Sequence, residues 1–260
     1  MDKQRALVVL SPYESRRLIA KAVAKLPAVQ KAFRDGWIII ATGSSTGYVA
    51  EEILGEPMVK ENFVSGHITG GELWGTPKNN PAFIFPVVLH KGERLFMKPE
   101  DALPEFSAED VFIKGANAVD AEYRTAVFTA NDMGGTMGWA MGPILARGSQ
   151  LIMPVGLEKM VASVPEAAKH CGIKSFTFST GLKVGMAPVV TATVITEIQA
   201  LAQLCDVEAY HMGGGGIAGA EGSVVLALEG QAAKVAAAFE FIRSIKGEKP
   251  LAHPNGTPSQ

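Results

Sequence analysis

The sequence predicts an α/β protein: an open, mostly parallel sheet with helices on both faces, plus a small C-terminal α+β (ferredoxin-like) lid or dimerisation module. Three observations predict it. A continuous apolar run at 37–41 and strand-like runs at 83–89, 111–113, 151–155 and 176–178 read as strands. Helical stretches at 138–147 and 165–171 separate several of these runs, the alternation expected of parallel strands joined by crossovers. From about Gly185 the order changes to helix, strand, glycine loop, strand and helix.

Each element has its own reason. Ser11-Pro12-Tyr13-Glu14 combines a Ser N-cap, a Pro at the first helical position and a Glu placed to close a capping box, so a helix starts there and runs to about Leu26. A second short helix follows Pro27 and stops near Asp35-Gly36, where glycine can take a left-handed C-terminal position. Trp37-Ile38-Ile39-Ile40-Ala41 is a buried strand that feeds a helix at 48–54 through a small-residue turn. The glycines and prolines of 56–98 are less regular and predict a hairpin or excursion at the sheet edge, with Lys91-Gly92-Glu93-Arg94 as a turn. In the last part, helices at 191–204 and 231–246 bracket strands at 207–212 and 223–228, with a further strand near 176–182. Val235, Phe239, Ile242 and Ile245 share one face of the final helix, a packing stripe. The expected organisation is an α/β ligand-binding domain over 1–180, a small α+β module over 181–247 and a disordered tail over 248–260.

Bulk properties narrow the function. At 260 residues, with 47% hydrophobic and 19% charged residues, the chain is long and apolar enough for a sizeable core. A net charge of −2 without a basic stripe argues against nucleic acid. No apolar run approaches the roughly 20 residues that cross a bilayer, and the N-terminus lacks the apolar core of a secretory signal, so a cytoplasmic protein is expected. Cys171 and Cys205 make no disulfide framework and read as buried reduced thiols. His67, His90, His170, His211 and His253 show no metal-ligand pairing. No metal or cofactor is implied. The expected partner is a small anionic metabolite or another copy of the chain, as a homo-dimer or tetramer.

The binding residues are the more legible ones. In Ala41-Thr42-Gly43-Ser44-Ser45-Thr46-Gly47 a strand ends in small residues whose N–H groups and hydroxyls can converge on an anion at the start of the next helix. Lys114-Gly115-Ala116-Asn117-Ala118-Val119-Asp120 follows the strand at 111–113 and should lie at the same carboxyl edge, where open parallel sheets bind ligands. Lys114 can pair with an anion there, and Asn117 and Asp120 can meet substrate hydroxyls, although both residue types also favour turns for backbone reasons. A third turn, Asp132-Met133-Gly134-Gly135-Thr136-Met137-Gly138, opens another helix. Gly214-Gly215-Gly216-Ile217-Ala218-Gly219 has dinucleotide-binding spacing but leads into a strand, not a helix, and so reads as a loop between strands. Glu221 beside it reads as a solvated loop carboxylate. His67 and His211 each precede glycines and could reach a site as acid or base.

In their order, these turns resemble the superfamily of ribose-5-phosphate isomerase, glucosamine-6-phosphate deaminase and the coenzyme A transferases, and within it the sugar-phosphate-sensing domain of DeoR-type repressors. The resemblance covers residues 36–162 through the turn at 41–46, the Gly-Ala-Asn stretch at 112–120, Gly134-Gly135-Thr136 and the stretch Ile152-Met153-Pro154-Val155-Gly156-Leu157-Glu158-Lys159-Met160-Val161. It implies a phosphate loop at 42–47, a Ser/Lys-type turn at Lys159 and a small C-terminal lid. Three departures argue against ribose-5-phosphate isomerase itself. Asn117 stands where the isomerases have an acidic residue, no lysine precedes Gly134-Gly135, and their glutamate base has no equivalent in 138–147.

Two functions are therefore expected. An enzyme would hold a sugar phosphate on Thr42, Gly43, Ser44, Ser45, Thr46, Asn117, Gly134, Gly135, Thr136 and Lys159, and isomerise it. In that scheme Asp120 or Asp132 is the base, and Lys114 or Lys159 steadies the enediolate. The alternatives are a non-catalytic phosphosugar sensor, here without a DNA-binding part, or a coenzyme A transferase-like enzyme.

Overall fold

A computed structural model describes residues 3–254. The chain begins with β1 (Lys3–Leu10), α1 (Pro12–Ala24), α2 (Pro27–Asp35), β2 (Trp37–Ile40) and α3 (Ser44–Leu54). Two hairpins follow, β3 (Gly66–Thr69) with β4 (Glu72–Gly75) and β5 (Val87–His90) with β6 (Glu93–Leu95). Next come α4 (Pro99–Ala102), β7 (Val111–Ile113), β8 (Ala118–Val119), β9 (Thr125–Thr129), α5 (Gly135–Arg147), β10 (Gln150–Pro154) and α6 (Val164–Lys169). The last elements are β11 (Gly185–Val189), β12 (Thr193–Ile195), α7 (Glu197–Cys205), β13 (Glu208–Gly215), β14 (Ser223–Gln231) and α8 (Ala232–Ser244).

The fold is a mixed α/β structure around a six-stranded sheet of order β12-β10-β7-β2-β5-β6. Neighbours from β12 to β2 are parallel, whereas β5 and β6 turn back antiparallel at the edge. Because side chains alternate along a strand, Ile38, Ile40, Ile113 and Ile152 enter one core with α1, α3 and α7. Ile39, Phe112 and Met153 enter the other with α5. Fully burying each such side chain stabilises the fold by roughly 1.5–3 kcal/mol. The turn at Lys91-Gly92 joins β5 to β6 with both residues at positive φ, 50° and 80°, so the edge hairpin forms where the turn residues predict it.

A second sheet, β1-β14-β13, is fully antiparallel. Its inner residues Val8, Leu10, Leu226 and Leu228 belong to the same core as Leu18 and Ile38, so the small sheet is packed continuously with the main one. Its outer strand is β1, in register with β14 from Lys3↔Gln231 to Leu10↔Val224. The sequence reading assigned these N-terminal residues to no element. Residues 181–247 therefore do not build this sheet alone.

Other elements also depart from expectation. The capping box of α1 forms as predicted between Ser11 and Glu14. The helix expected over 191–204 instead begins at Glu197, because the β-branched run Thr193-Val194-Ile195 makes β12 beside β10, and Thr196 caps α7 with Gln199 closing a capping box. Residues 176–178 form no strand; Phe178 is exposed. Gly36 is extended (φ −138°) and not left-handed. Its requirement is space, since a Cβ there would stand 2.3 Å from Asp110 Oδ1, which accepts from Trp37 N.

The first part of the expected tail is held on the body. Glu248 accepts from Arg17, and Leu251 packs on the core. Residues 255–260 of that tail lie outside the described residues. Among the described residues, no helix is long and apolar enough to cross a membrane. Cys171 and Cys205 are partly buried and unpaired, and burial pushes both thiols up.

Candidate functional site

The first predicted turn is the opening of α3. Helix geometry begins at Ser44, not Tyr48, with Gly43 as its cap residue and no side-chain cap. The first N–H groups of such a helix have no intrahelical partner, and the helix dipole makes that end attractive to an anion. The hydroxyls behave differently from one another. Thr42 is hydrogen-bonded to Ser65, and Thr46 Oγ1 donates to Gly43 O at 3.1 Å, so both are engaged within the protein. Ser45 Oγ is buried and lacks a hydrogen-bond partner, while Ser44 is half-buried.

The second turn meets the first. Ala41 N donates to Ile113 O and Lys114 N to Ile152 O, which ties the carboxyl ends of β2, β7 and β10 together. A Cβ at Gly115 would lie 3.9 Å from Thr46 Cγ2 and 3.8 Å from Pro154 O, so the three strand ends converge at this glycine. Lys114 and Lys159 join there. Lys114 Nζ donates to Gly115 O at 3.2 Å, and Lys159 Nζ donates to Ala116 O at 2.9 Å. Both lysines are half-buried, and among the described residues neither has a carboxylate within the 4.0 Å of an ion pair. Burial, reinforced by the charge of Lys159, pushes Lys114 down to about 8. Burial and Arg16 lower Lys159 against the opposing pull of Glu158 and Glu197.

Three further residues complete the cluster and were not singled out from sequence. Arg16, on α1, stacks over the Tyr13 ring at 5.4 Å and sets Nη2 3.6 Å from Glu158 Oε1. That separation exceeds a hydrogen bond, and both Glu158 oxygens and Arg16 Nε are buried without hydrogen-bond partners. Glu197, fully buried at the start of α7, accepts from Leu157 N at 3.0 Å. Burial first, then the charge of Glu158, pushes Glu197 up to about 7, against Ser15 and the nearby N–H groups. With Glu197 only partly ionised near neutrality, two lysines and one arginine outweigh Glu158, and the cluster carries net positive charge.

The expected acids sit elsewhere. Asp120 is buried and accepts from Glu122 N, Arg124 N, Arg124 Nε and Val164 N. Burial disfavours its charge, but those donors prevail and hold it below the usual carboxylate range. It anchors the turn before β9 and the start of α6, and a carboxylate so fully engaged is a poor proton acceptor. Asp132 is exposed and lies 3.7 Å from Lys174. Asn117 is spent on the hairpin, its Oδ1 accepting from Phe128 N and its N–H donating to Ala126 O.

Gly134 and Gly135 adopt positive φ at the start of α5, with Thr136 half-buried beside them. Since α5 ends at Arg147 just before β10 begins at Gln150, its N-terminus is directed towards the carboxyl edge. Gly214 and Gly215, expected in a loop, extend β13 instead and pair with β14, so the loop between the two strands is confined to 216–222. Glu221 accepts from Gly219 N in that exposed loop. His67 shares a hydrogen bond with Thr69, and burial followed by the charge of His253 lowers it. A surface groove lined by Arg17, Lys21, Glu52, Lys60 and residues 244–251 contains none of the residues of this cluster. Among the described residues, no group of three or more His, Cys, Asp or Glu could hold a metal ion.

No protein-family model, no curated protein and no solved structure matches the chain.

Proposed function

We propose that the chain binds a small anionic metabolite, in the first instance a phosphorylated sugar, at the carboxyl edge of the main sheet and isomerises it. The observation that carries this reading is the pair of half-buried lysines, Lys114 and Lys159, resting on the adjacent carbonyls of Gly115 and Ala116 without a carboxylate partner. Lys114 is opposed by the Lys159 charge and Lys159 is only partly offset by Glu158 and Glu197, so burying the pair is costly, and an arriving anion offsets that cost by supplying counter-charge. The start of α3, with the unpartnered Ser45 hydroxyl, is the second half of the cradle.

For the chemistry, Glu158 takes the part first given to Asp120 and Asp132. Its oxygens are buried beside Arg16 at 3.6 Å and, among the described residues, accept no hydrogen bond, so their lone pairs are not committed elsewhere. In this mechanism Glu158 removes a proton next to a carbonyl, the enediolate gathers charge on the oxygen facing Lys114 and Lys159, and the proton returns to the neighbouring carbon. The small sheet is read as the lid or dimerisation module, with Leu7, Val9, Tyr210 and Met212 exposed on it.

Calorimetry and steady-state assays over a panel of aldose and ketose phosphates test the proposal. Turnover that disappears in Glu158→Gln supports it. Binding without turnover moves the protein to the sensor class, and absence of binding across the panel overturns the anion site.

A further inference from the structure

The two lysines allow a sharper statement, which rests on the anion-site reading. Lys114 and Lys159 have the same charge, emerge from different strand ends and are brought to consecutive peptide carbonyls. Structural lysines ordinarily meet a carboxylate. Among the described residues, the charge acting on Lys114 is the Lys159 ammonium, while Arg16, Glu158 and Glu197 act on Lys159. An amine that is desolvated and set beside a second cation is the arrangement that converts lysine from a point charge into a nucleophile.

We infer that Lys114 is an imine-forming nucleophile, and that the ligand class is an anion carrying an aldehyde or ketone.

With Lys114 lowered to about 8, about a tenth of it is the neutral amine at pH 7, against roughly one part in 3,000 for an ordinary lysine. The position also suits the task. Gly115, whose carbonyl holds Lys114 Nζ, lies against the first turn of α3, where a Cβ would stand 3.9 Å from Thr46 Cγ2, so an anion on that helix end would sit at the same strand end as the lysine. In the reaction, the Nζ lone pair forms a C–N bond to the carbonyl carbon and the carbonyl π electrons move to oxygen. The two N–H protons of the neutral amine pass to that oxygen, which leaves as water to give the imine, and the imine nitrogen takes up one proton from solvent. No oxidant or reductant is consumed. The protonated imine then withdraws electrons from the adjacent carbon more strongly than the carbonyl did, so on this route proton removal by Glu158 gives an enamine on Lys114 in place of the enediolate.

The test uses the intact protein with glyoxylate, the smallest aldehyde that is also an anion, and sodium cyanoborohydride, whose hydride reduces the imine to a stable carboxymethyl-amine. Peptide mapping after timed labelling at pH 7 compares Lys114 with Lys169 and Lys174, whose side chains are 68% and 84% exposed. Lys114 should be labelled at least tenfold faster despite being the less exposed. In Lys159→Met, which retains Lys114 but removes its cationic neighbour, the Lys114 rate should drop several-fold and its pH profile should move upward. Labelling of Lys114 no faster than Lys169 and Lys174 overturns the inference. A parallel titration with inorganic phosphate separates the two ideas. Phosphate binding without preferential labelling leaves the anion site standing and removes the nucleophile, whereas preferential labelling without phosphate binding keeps the nucleophile and removes the phosphate cradle.

Discussion

The carboxylate of Glu158 occupies the space that a side chain at position 156 would need. A Cβ on Gly156 would stand 1.8 Å from Glu158 Oε2 and 2.7 Å from its Cδ, while the glycine's own backbone (φ −80°) is ordinary. The clash falls on the end of a flexible side chain, so Gly156→Ala should move Glu158 without disturbing the strand end. The expected outcome is a melting temperature close to that of the parent, with turnover of the sugar-phosphate substrate reduced by roughly 10- to 100-fold, towards the level of Glu158→Gln. Paired thermal melts and initial rates check this, and unchanged turnover would count against Glu158 as the base.

Lys114 should trade stability for binding. Its folded pKa of about 8 lies below the ordinary 10.5, so the unfolded chain holds the proton more tightly, and the stability of the ligand-free protein rises as pH increases from about 8 to about 10.5. Replacing it with Met removes the cost of burying the charge. Lys114→Met should therefore raise ligand-free stability at pH 7 by ~1–3 kcal/mol while weakening phosphate binding at least tenfold. Denaturant titrations and calorimetry on the same sample report both signs.

Glu197 makes the complementary case. Its folded pKa of about 7 is raised above the ordinary 4.5, so between those values the folded state holds the proton while the unfolded chain has released it. Stability from this group falls as pH climbs from about 4.5 to about 7, and the full penalty remains above that. Glu197→Gln keeps an acceptor for Leu157 N and should raise the melting temperature above pH 7 while changing little below pH 4.5. Melts across that range decide the matter, and an equal shift at both ends would contradict the buried-carboxyl account.

Acid sensitivity should originate on the opposite side of α1. Arg17 Nη2 donates to Glu51, its Nη1 to Glu52 and its Nε to Glu248, and Lys60 also donates to Glu51. Burial opposes the charge on Glu51, but Lys60, Met58 N and Arg17 outweigh it and bring Glu51 down to about 2. A depressed carboxyl contributes fully above the unfolded value and is lost as pH falls from about 4.5 through about 2, worth ~2–3 kcal/mol. Glu51→Gln should flatten the acid limb of the stability curve over that interval.

The legible features were those written in local chemistry. Ser11 and Glu14 announce the start of α1, and Lys91-Gly92 announces the β5–β6 turn, because cap and turn preferences act within a few residues. The glycine-rich strand ends at Gly43 and Gly115 are equally visible, and the structure brings them together. Whether a donor is available is not local. Nothing near Thr42 announces Ser65, and nothing near Asp120 announces Val164 N, so residues that read as site groups turned out to be engaged elsewhere. Arg16 and Glu197 were missed for the same reason, since each comes from a helix whose own pattern is explained by packing. Within elements, β12 was hidden because Thr193-Val194-Ile195 leads directly into a capped helix, and β1 because a lone strand is recognised only through its partner.

That partner is far along the chain. Residues 3–10 find their ladder only in residues 223–231, so β1 is synthesised long before its partner and is among the last strands to be paired. For most of synthesis it is a strand with an apolar face, carrying Val8 and Leu10, and no neighbour to cover it. Pairings this distant close late and slowly. The most vulnerable moment for this chain is thus its birth: a nascent copy stalled short of residue 223 would present an open β-edge to its neighbours, and chaperone demand would fall on β1 although every strand of the main sheet precedes β14.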